Sequence, residues 1–183
     1  PHEESLDLVG LGARLRAIAA RLLDDPVTRE TRVLFEPGRF LVGPAGAYLA
    51  RVVDRKSVNG TAVVVLDGGV HHVLRPVLVG QEHRVRPVAG RGVSGSKQWP
   101  VTVAGPLCSG LDVLPSAAVM VVPEPGDLVA VLDVGAYGFT ESMPFFLSHP
   151  IPAEVAVRDG RAECIRPRVQ PEVWLGQQRI PDW

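Results

Sequence analysis

The sequence predicts a mainly β protein, a sandwich or Greek-key barrel of short strands, preceded by a helix-strand-helix piece of the kind that belongs to a (β/α) barrel. Three observations carry this. Apolar residues follow a helical period up to about Ala50 and alternate afterwards. Asn59-Gly60 stands between two alternating runs, the strongest short-range hairpin signal. The 19 glycines and 17 prolines concentrate between the later apolar runs, and short strands separated by turn residues indicate a sandwich or barrel.

In chain order, Leu6, Leu8, Val9, Leu11, Leu15, Ile18, Leu22 and Leu23 repeat at helical spacing from Ser5 to about Leu23, and Pro26 stops the helix. Gly10 and Gly12 lie inside that pattern, so they form no nucleotide loop. Arg32–Phe35 reads as a short strand ending at Glu36-Pro37-Gly38-Arg39, polar residues at a strand's C-terminal end, where (β/α) barrels carry their sites. A second helix is expected over Leu41–Leu49. Strands are then expected at Arg51–Val58, Thr61–Leu66, Val85–Val88, Val101–Ala104, Ala117–Val122 and Leu128–Val134. A final hairpin, Val155–Val157 with Ala162–Ile165, turns at Asp159-Gly160. Pro125-Gly126 fits a type II turn. The predicted division is residues 1–50 and 51–183.

Composition narrows the function classes. At 183 residues with 46% hydrophobic and 21% charged residues, the chain can bury an ordinary core. A net charge of −1 gives no electrostatic footprint for nucleic acid or a membrane surface. Lys56 and Lys97 are the only lysines among 19 basic residues, and the arginines are scattered. Two cysteines, Cys108 and Cys164, make no disulfide framework. No run is long enough to span a bilayer and no secretory signal opens the chain, so a cytoplasmic location is expected. His2, His71, His72, His83 and His149 lack metal-ligand spacing, and no metal is expected. His71 and His72 would face opposite ways in an extended segment. Cys164, in an alternating strand, is expected in the core.

Four motifs follow one another: Glu36-Pro37-Gly38-Arg39; Asp67-Gly68-Gly69 with Arg75-Pro76; Gly105-Pro106-Leu107-Cys108 with Asp112; and Gly126-Asp127 leading to Gly135-Ala136-Tyr137. In this order and on this layout the chain resembles the C-terminal portion of the pyridoxal-phosphate decarboxylases related to diaminopimelate and ornithine decarboxylase. The resemblance implies the last helix-strand-helix of a (β/α)8 barrel followed by a β-domain. It further implies a pyridoxal 5'-phosphate cofactor, an amino-acid substrate and a homodimer with sites at the subunit interface. By resemblance, Glu36 keeps the cofactor's pyridine nitrogen protonated, Gly38 allows close approach, and Arg39 and Tyr137 hold its phosphate. Cys108 returns a proton after carbon dioxide leaves, from across the interface; an ordinary thiol is a competent donor near neutral pH. Arg75, Ser109 and Asp112 fall at substrate positions. Each residue also has a plain structural alternative. These are a buried small hydrophobe for Cys108, a strand-end ion pair for Glu36 and Arg39, a loop-capping carboxylate for Asp112, a core tyrosine for Tyr137 and an exposed loop arginine for Arg75.

The barrel strands preceding the family's glycine-rich phosphate loop have no counterpart here, and the Schiff-base lysine lies among them. Lys56 precedes a hairpin turn and Lys97 follows Ser94-Gly95-Ser96, a loop. The chain is therefore expected to be part of a longer or split enzyme and silent alone. Two departures bear on substrate. The diaminopimelate and ornithine enzymes carry an acidic residue after the cysteine, where Ser109 stands, and a tyrosine where Val79 stands. Neither replacement pairs with a distal ammonium. Phe146-Leu147-Ser148-His149-Pro150 and His71-His72 resemble the branch that includes enzymes acting on carrier-bound amino acids. A non-catalytic dimerising relative and a racemase-like enzyme are the alternative readings.

Overall fold

The computed structural model describes residues 6–88, 97–114 and 118–182. Ser5, Ala117 and the Ser94-Gly95-Ser96 loop, all used above, lie outside them. The chain divides into two compact units, one up to Pro37 and one from Gly38.

In the first unit, α1 (Leu8–Asp24) is capped by Asp7, whose carboxylate accepts the Gly10 N–H at 2.9 Å. It stops where Asp25 turns extended before Pro26. None of its residues is buried. The expected strand at Arg32–Phe35 is not formed: 31–37 has no regular structure. A strand is held by ladder hydrogen bonds, and no neighbouring strand pairs with this stretch among the described residues.

The second unit begins with α2 (Gly38–Val42) and a 3₁₀ turn over Gly43–Ala45. The helix expected over Leu41–Leu49 is thus cut short. Gly43, Pro44 and Gly46 interrupt it, and β1 (Ala47–Val58) starts earlier than Arg51 because Ala47–Ala50 pair with the strand below. The two compact units part after Pro37, and the change from helix to strand comes at Ala47, near the expected residue 50. Residues 43–46 are tied to the β unit by Gly135 N–H to Gly43 O at 2.9 Å and Val134 N–H to Gly46 O at 3.1 Å. A Cβ on Gly135 would collide with the Val42 carbonyl, so two backbones touch directly there.

The remaining elements are β2 (Thr61–Leu66), α3 (Arg75–Val79), β3 (Val85–Pro87), β4 (Trp99–Ala104), β5 (Ala118–Met120) and β6 (Leu128–Leu132). After them come β7 (Glu154–Arg158), β8 (Arg161–Arg166) and α4 (Pro171–Leu175). Six strands form one sheet in the order β3-β6-β1-β2-β4-β5. Its end strands β3 and β5 approach each other, giving the barrel-like closure expected of the β-domain. Every neighbour pair is antiparallel except β2 with β4. Asn59 and Gly60 both take positive φ, as a tight hairpin turn between β1 and β2 requires. Alternate residues point inward: Ala50 and Val52, Val64 and Leu66, Val101 and Val103, with Val129 and Val131, build the core.

β7 and β8 form a separate two-stranded sheet. Cys164 lies on it and is exposed, contrary to the core position expected from alternation. The hairpin does alternate, but apart from the half-buried Arg166 its residues are exposed, so neither face carries a core.

Candidate active site

The parallel pairing of β2 and β4 places the loops after both strands at the same end of the sheet. These loops carry Asp67-Gly68-Gly69 and Gly105–Asp112, and one carboxylate joins them. Asp112 accepts the Val70 N–H at 2.8 Å and the Leu107 N–H at 2.7 Å. Its own backbone carbonyl accepts the Gly105 N–H at 2.9 Å. A side chain on Gly69 or Gly105 would occupy the space of this carboxylate, which explains a glycine in each motif. Asp112 is 2% exposed and both its oxygens are engaged. Within the chain it braces the loop, as a capping carboxylate does.

That brace presents Cys108, which is exposed rather than buried, with no hydrogen bond among the described residues. The Ser109 hydroxyl accepts the Leu111 N–H at 3.2 Å, so the residue after the cysteine adds no charge.

A second group of predicted residues meets around α3. Arg75, in its first turn, donates through Nη1 to both Glu141 oxygens at 2.9 and 2.8 Å. Its Nε donates to Gln81 Oε1 at 2.7 Å, and the same oxygen accepts Arg39 Nη1 at 2.9 Å. The Arg75 guanidinium lies 4.6 Å from the centre of the Tyr137 ring, a cation–π contact. Tyr137 is 50% exposed and has a φ of 59°, so it is not a core tyrosine; its backbone takes a conformation uncommon outside glycine. Arg39, Arg75 and Tyr137, far apart in sequence, are thus linked through Gln81 and Glu141, neither of which the sequence reading singled out. Glu141 follows the Gly135-Ala136-Tyr137 motif closely, which was a usable signal; Gln81 had none. Glu36 belongs to the other unit, is exposed, and makes no hydrogen bond or ion pair among the described residues. Among the described residues, Gly38 has open space where a Cβ would be.

Behind this group sits a histidine stack the sequence reading dispersed. His71 and His72 lie in a turn, not an extended segment, so they do not face opposite ways. Their ring centres are 3.8 Å apart, and His149 stacks 4.8 Å from His71. His72 Nδ1 meets the Tyr48 hydroxyl at 2.8 Å and Nε2 lies 3.1 Å from the Pro150 carbonyl. Ser142 adds a further tie, accepting the Leu74 N–H at 3.0 Å and donating to Gly138 O at 2.6 Å. The segment bearing Tyr137 and Glu141 is thereby fastened to the turn after β2.

His71 is wholly buried and neither ring nitrogen has a partner among the described residues. Burial first, then neighbouring His149, lowers its pKa to about 4. Burial and His71 lower that of His72 to about 3. Both rings are neutral when folded, whereas an unfolded chain protonates them near 6.5. The stability they favour is complete above that value and is lost as pH falls toward 4. We predict that the urea midpoint of the full-length protein drops steeply between about pH 6.5 and 4. His71→Phe, which removes the buried unpaired nitrogens, should flatten that dependence and leave the midpoint at pH 7.5 equal or higher. An unchanged slope would contradict the assignment.

The family model described as pyridoxal-dependent decarboxylase, C-terminal sheet domain, matches residues 24–135. The chain belongs to that family of pyridoxal-dependent decarboxylases. It is similar, at 36% identity over 172 residues, to the L-glutamyl-(BtrI acyl-carrier protein) decarboxylase of Niallia circulans, covering 90% of this chain and 40% of that protein. It is 35% identical over 157 residues to the diaminopimelate decarboxylase of Archaeoglobus fulgidus, covering 86% and 36%. Among solved structures, a diaminopimelate decarboxylase superposes with a TM-score of 0.78 at 30% identity, over 96% of this chain and 44% of that one. The diaminopimelate decarboxylase of Helicobacter pylori complexed with L-lysine gives 0.75 at 27%, over 94% and 40%. The chain thus spans about two-fifths of the length of these relatives. Among the described residues no helix is long and apolar enough to cross a membrane, and no group of three or more His, Cys, Asp or Glu side chains could hold a metal ion.

Proposed function

We propose that these residues form part of a pyridoxal-phosphate-dependent decarboxylase that removes the α-carboxylate of an amino acid, free or attached to a carrier protein, and that works as a homodimer. The observation that carries this reading is the Gln81-linked pair Arg39 and Arg75 beside Tyr137, in a chain of this family. The donor set suits the cofactor. Arg39 commits only Nη1 among the described residues, leaving donors for phosphate oxygens, and Tyr137 is a half-exposed side chain with a hydroxyl to donate. An exposed carboxylate such as Glu36, unpaired among the described residues, suits a protonated ring nitrogen.

When bound, pyridoxal phosphate supplies the electron sink for carbon–carbon cleavage. The chain's residues do the rest. Arg39 and Tyr137 bind the phosphate, Glu36 holds a proton at the pyridine nitrogen, and Cys108 delivers a proton to the carbon that has lost carbon dioxide. In this reading Cys108 serves the partner subunit's site. Ser109 and Arg75 meet the substrate; with an uncharged serine after the cysteine, a distal ammonium has no counter-ion there. The carrier-bound substrate of the Niallia circulans relative supports including carrier-attached amino acids.

The lysine that anchors the cofactor is proposed to lie outside these 183 residues. Lys56 lies on β1 beside the Asn59-Gly60 turn and Lys97 packs 4.3 Å over the Trp99 ring, both at the sheet end away from the Cys108 loop. The test is carbon dioxide release by the full-length protein together with cofactor retention. Arg39→Ala should lower cofactor occupancy after dialysis about tenfold or more, since charge-assisted bonds to phosphate are among the stronger ones. Full retention in that variant would remove Arg39 from the phosphate site. Cofactor binding without carbon dioxide release would favour a non-decarboxylating relative.

A further inference from the structure

Arg75 reaches the site already neutralised. Both Glu141 oxygens lie on its Nη1, and the two side chains are only 13% and 26% exposed, so water screens the pair poorly. Gln81 Oε1 takes Nε and so fixes the guanidinium plane. The same Gln81 oxygen holds Arg39, so whatever Arg39 binds lies beside Arg75. The other polar substrate position, Ser109, is uncharged and tied to its own loop. An ionised carboxylate arriving at Arg75 would have to share a guanidinium with Glu141 or displace it, and like charges brought together out of bulk water repel strongly.

We propose that Glu141 is a specificity-determining residue: from within the chain it holds Nη1 of the guanidinium that a distal substrate carboxylate would need and places its own negative charge there, and so selects amino acids whose distal end is uncharged, as in an ester or thioester, over free dicarboxylic amino acids. This rests on the reading that the chain belongs to an amino-acid decarboxylase. Glu141 acts by exclusion; the attractive contact to the distal end is left to uncharged groups.

The experiment uses the full-length, cofactor-loaded protein and two unreactive probes, glutarate and its monomethyl ester, with dissociation constants measured by calorimetry. The wild type is expected to bind the ester at least about tenfold more tightly than the dianion. Glu141→Gln should improve glutarate binding by about tenfold or more while the ester changes less than about twofold. Glu141→Asp, which keeps the charge, should preserve the wild-type preference. A merely structural role for Glu141 would move both probes together, and that result, or unchanged glutarate affinity in Glu141→Gln, overturns the proposal. Carbon dioxide release is assayed on the same preparations. Probe discrimination without release sustains the role of Glu141 and overturns the decarboxylase reading instead.

Discussion

Replacing Cys108 by alanine in the full-length protein is expected to lower turnover about 10²–10⁴-fold, the usual worth of a positioned general acid, with cofactor occupancy unchanged. The structure separates these two readouts. Cys108 is exposed on the Gly105–Asp112 loop and makes no hydrogen bond among the described residues, so its removal leaves no buried group unpaired. The residues proposed to hold cofactor, Arg39 and Tyr137, are linked through Gln81 and Arg75 and do not depend on the thiol. The measurement is steady-state carbon dioxide release at saturating cofactor, beside the absorbance of bound cofactor. Wild-type turnover in Cys108→Ala would withdraw the proton-donor role; parallel loss of cofactor would make the residue structural.

Asp112→Ala is expected to destabilise the full-length protein by roughly 3–6 kcal/mol, the sum of two hydrogen bonds to a charged group at about 1.5–3 kcal/mol each. The Val70 and Leu107 amides would be left in a buried setting without acceptors. The glycines at 69 and 105 have no side chains to fill the space. Asp112→Asn keeps one acceptor but turns an amide donor toward an N–H, so it should cost nearly as much. Urea unfolding checks both, and a loss below about 1 kcal/mol for Asp112→Ala would contradict the bracing role. Turnover should fall as well, because the loop that presents Cys108 loses the tie to the turn after β2.

The β-domain was legible from local chemistry. Asn59-Gly60 located a hairpin, and alternation located β2 at its observed bounds, β4 to within two residues and β1 from Arg51 onward, because a sheet with one buried face writes period two into the sequence. The chain before β1 was less legible. Arg32–Phe35 has strand composition, yet a strand exists only with neighbours to complete its hydrogen bonds. Leu41–Leu49 has helical apolar spacing, yet two glycines and a proline outweigh it, and pairing with β6 claims Ala47–Ala50. Cys164 shows the converse limit: alternation marks two faces but does not say that either is covered. At the site, motif order brought Arg39, Arg75 and Tyr137 to attention, whereas Gln81 and Glu141 could be found only from tertiary geometry. The histidine stack was hidden because its members meet through a turn, and a turn carries no periodicity.

The parallel run of β2 beside β4 also has a practical side. Both strands start at the Asn59-Gly60 end and finish at the braced loops, so Lys56 and Lys97, the chain's two side-chain amines, lie at one end of the sheet and the Cys108 thiol at the other. Once the exposed Cys164 is replaced, amine-directed and thiol-directed reagents therefore address opposite ends of the same sheet. A dye, tether or surface attached through Lys97, just before β4, is separated from the Cys108 loop by the length of that strand, about 20 Å for six residues.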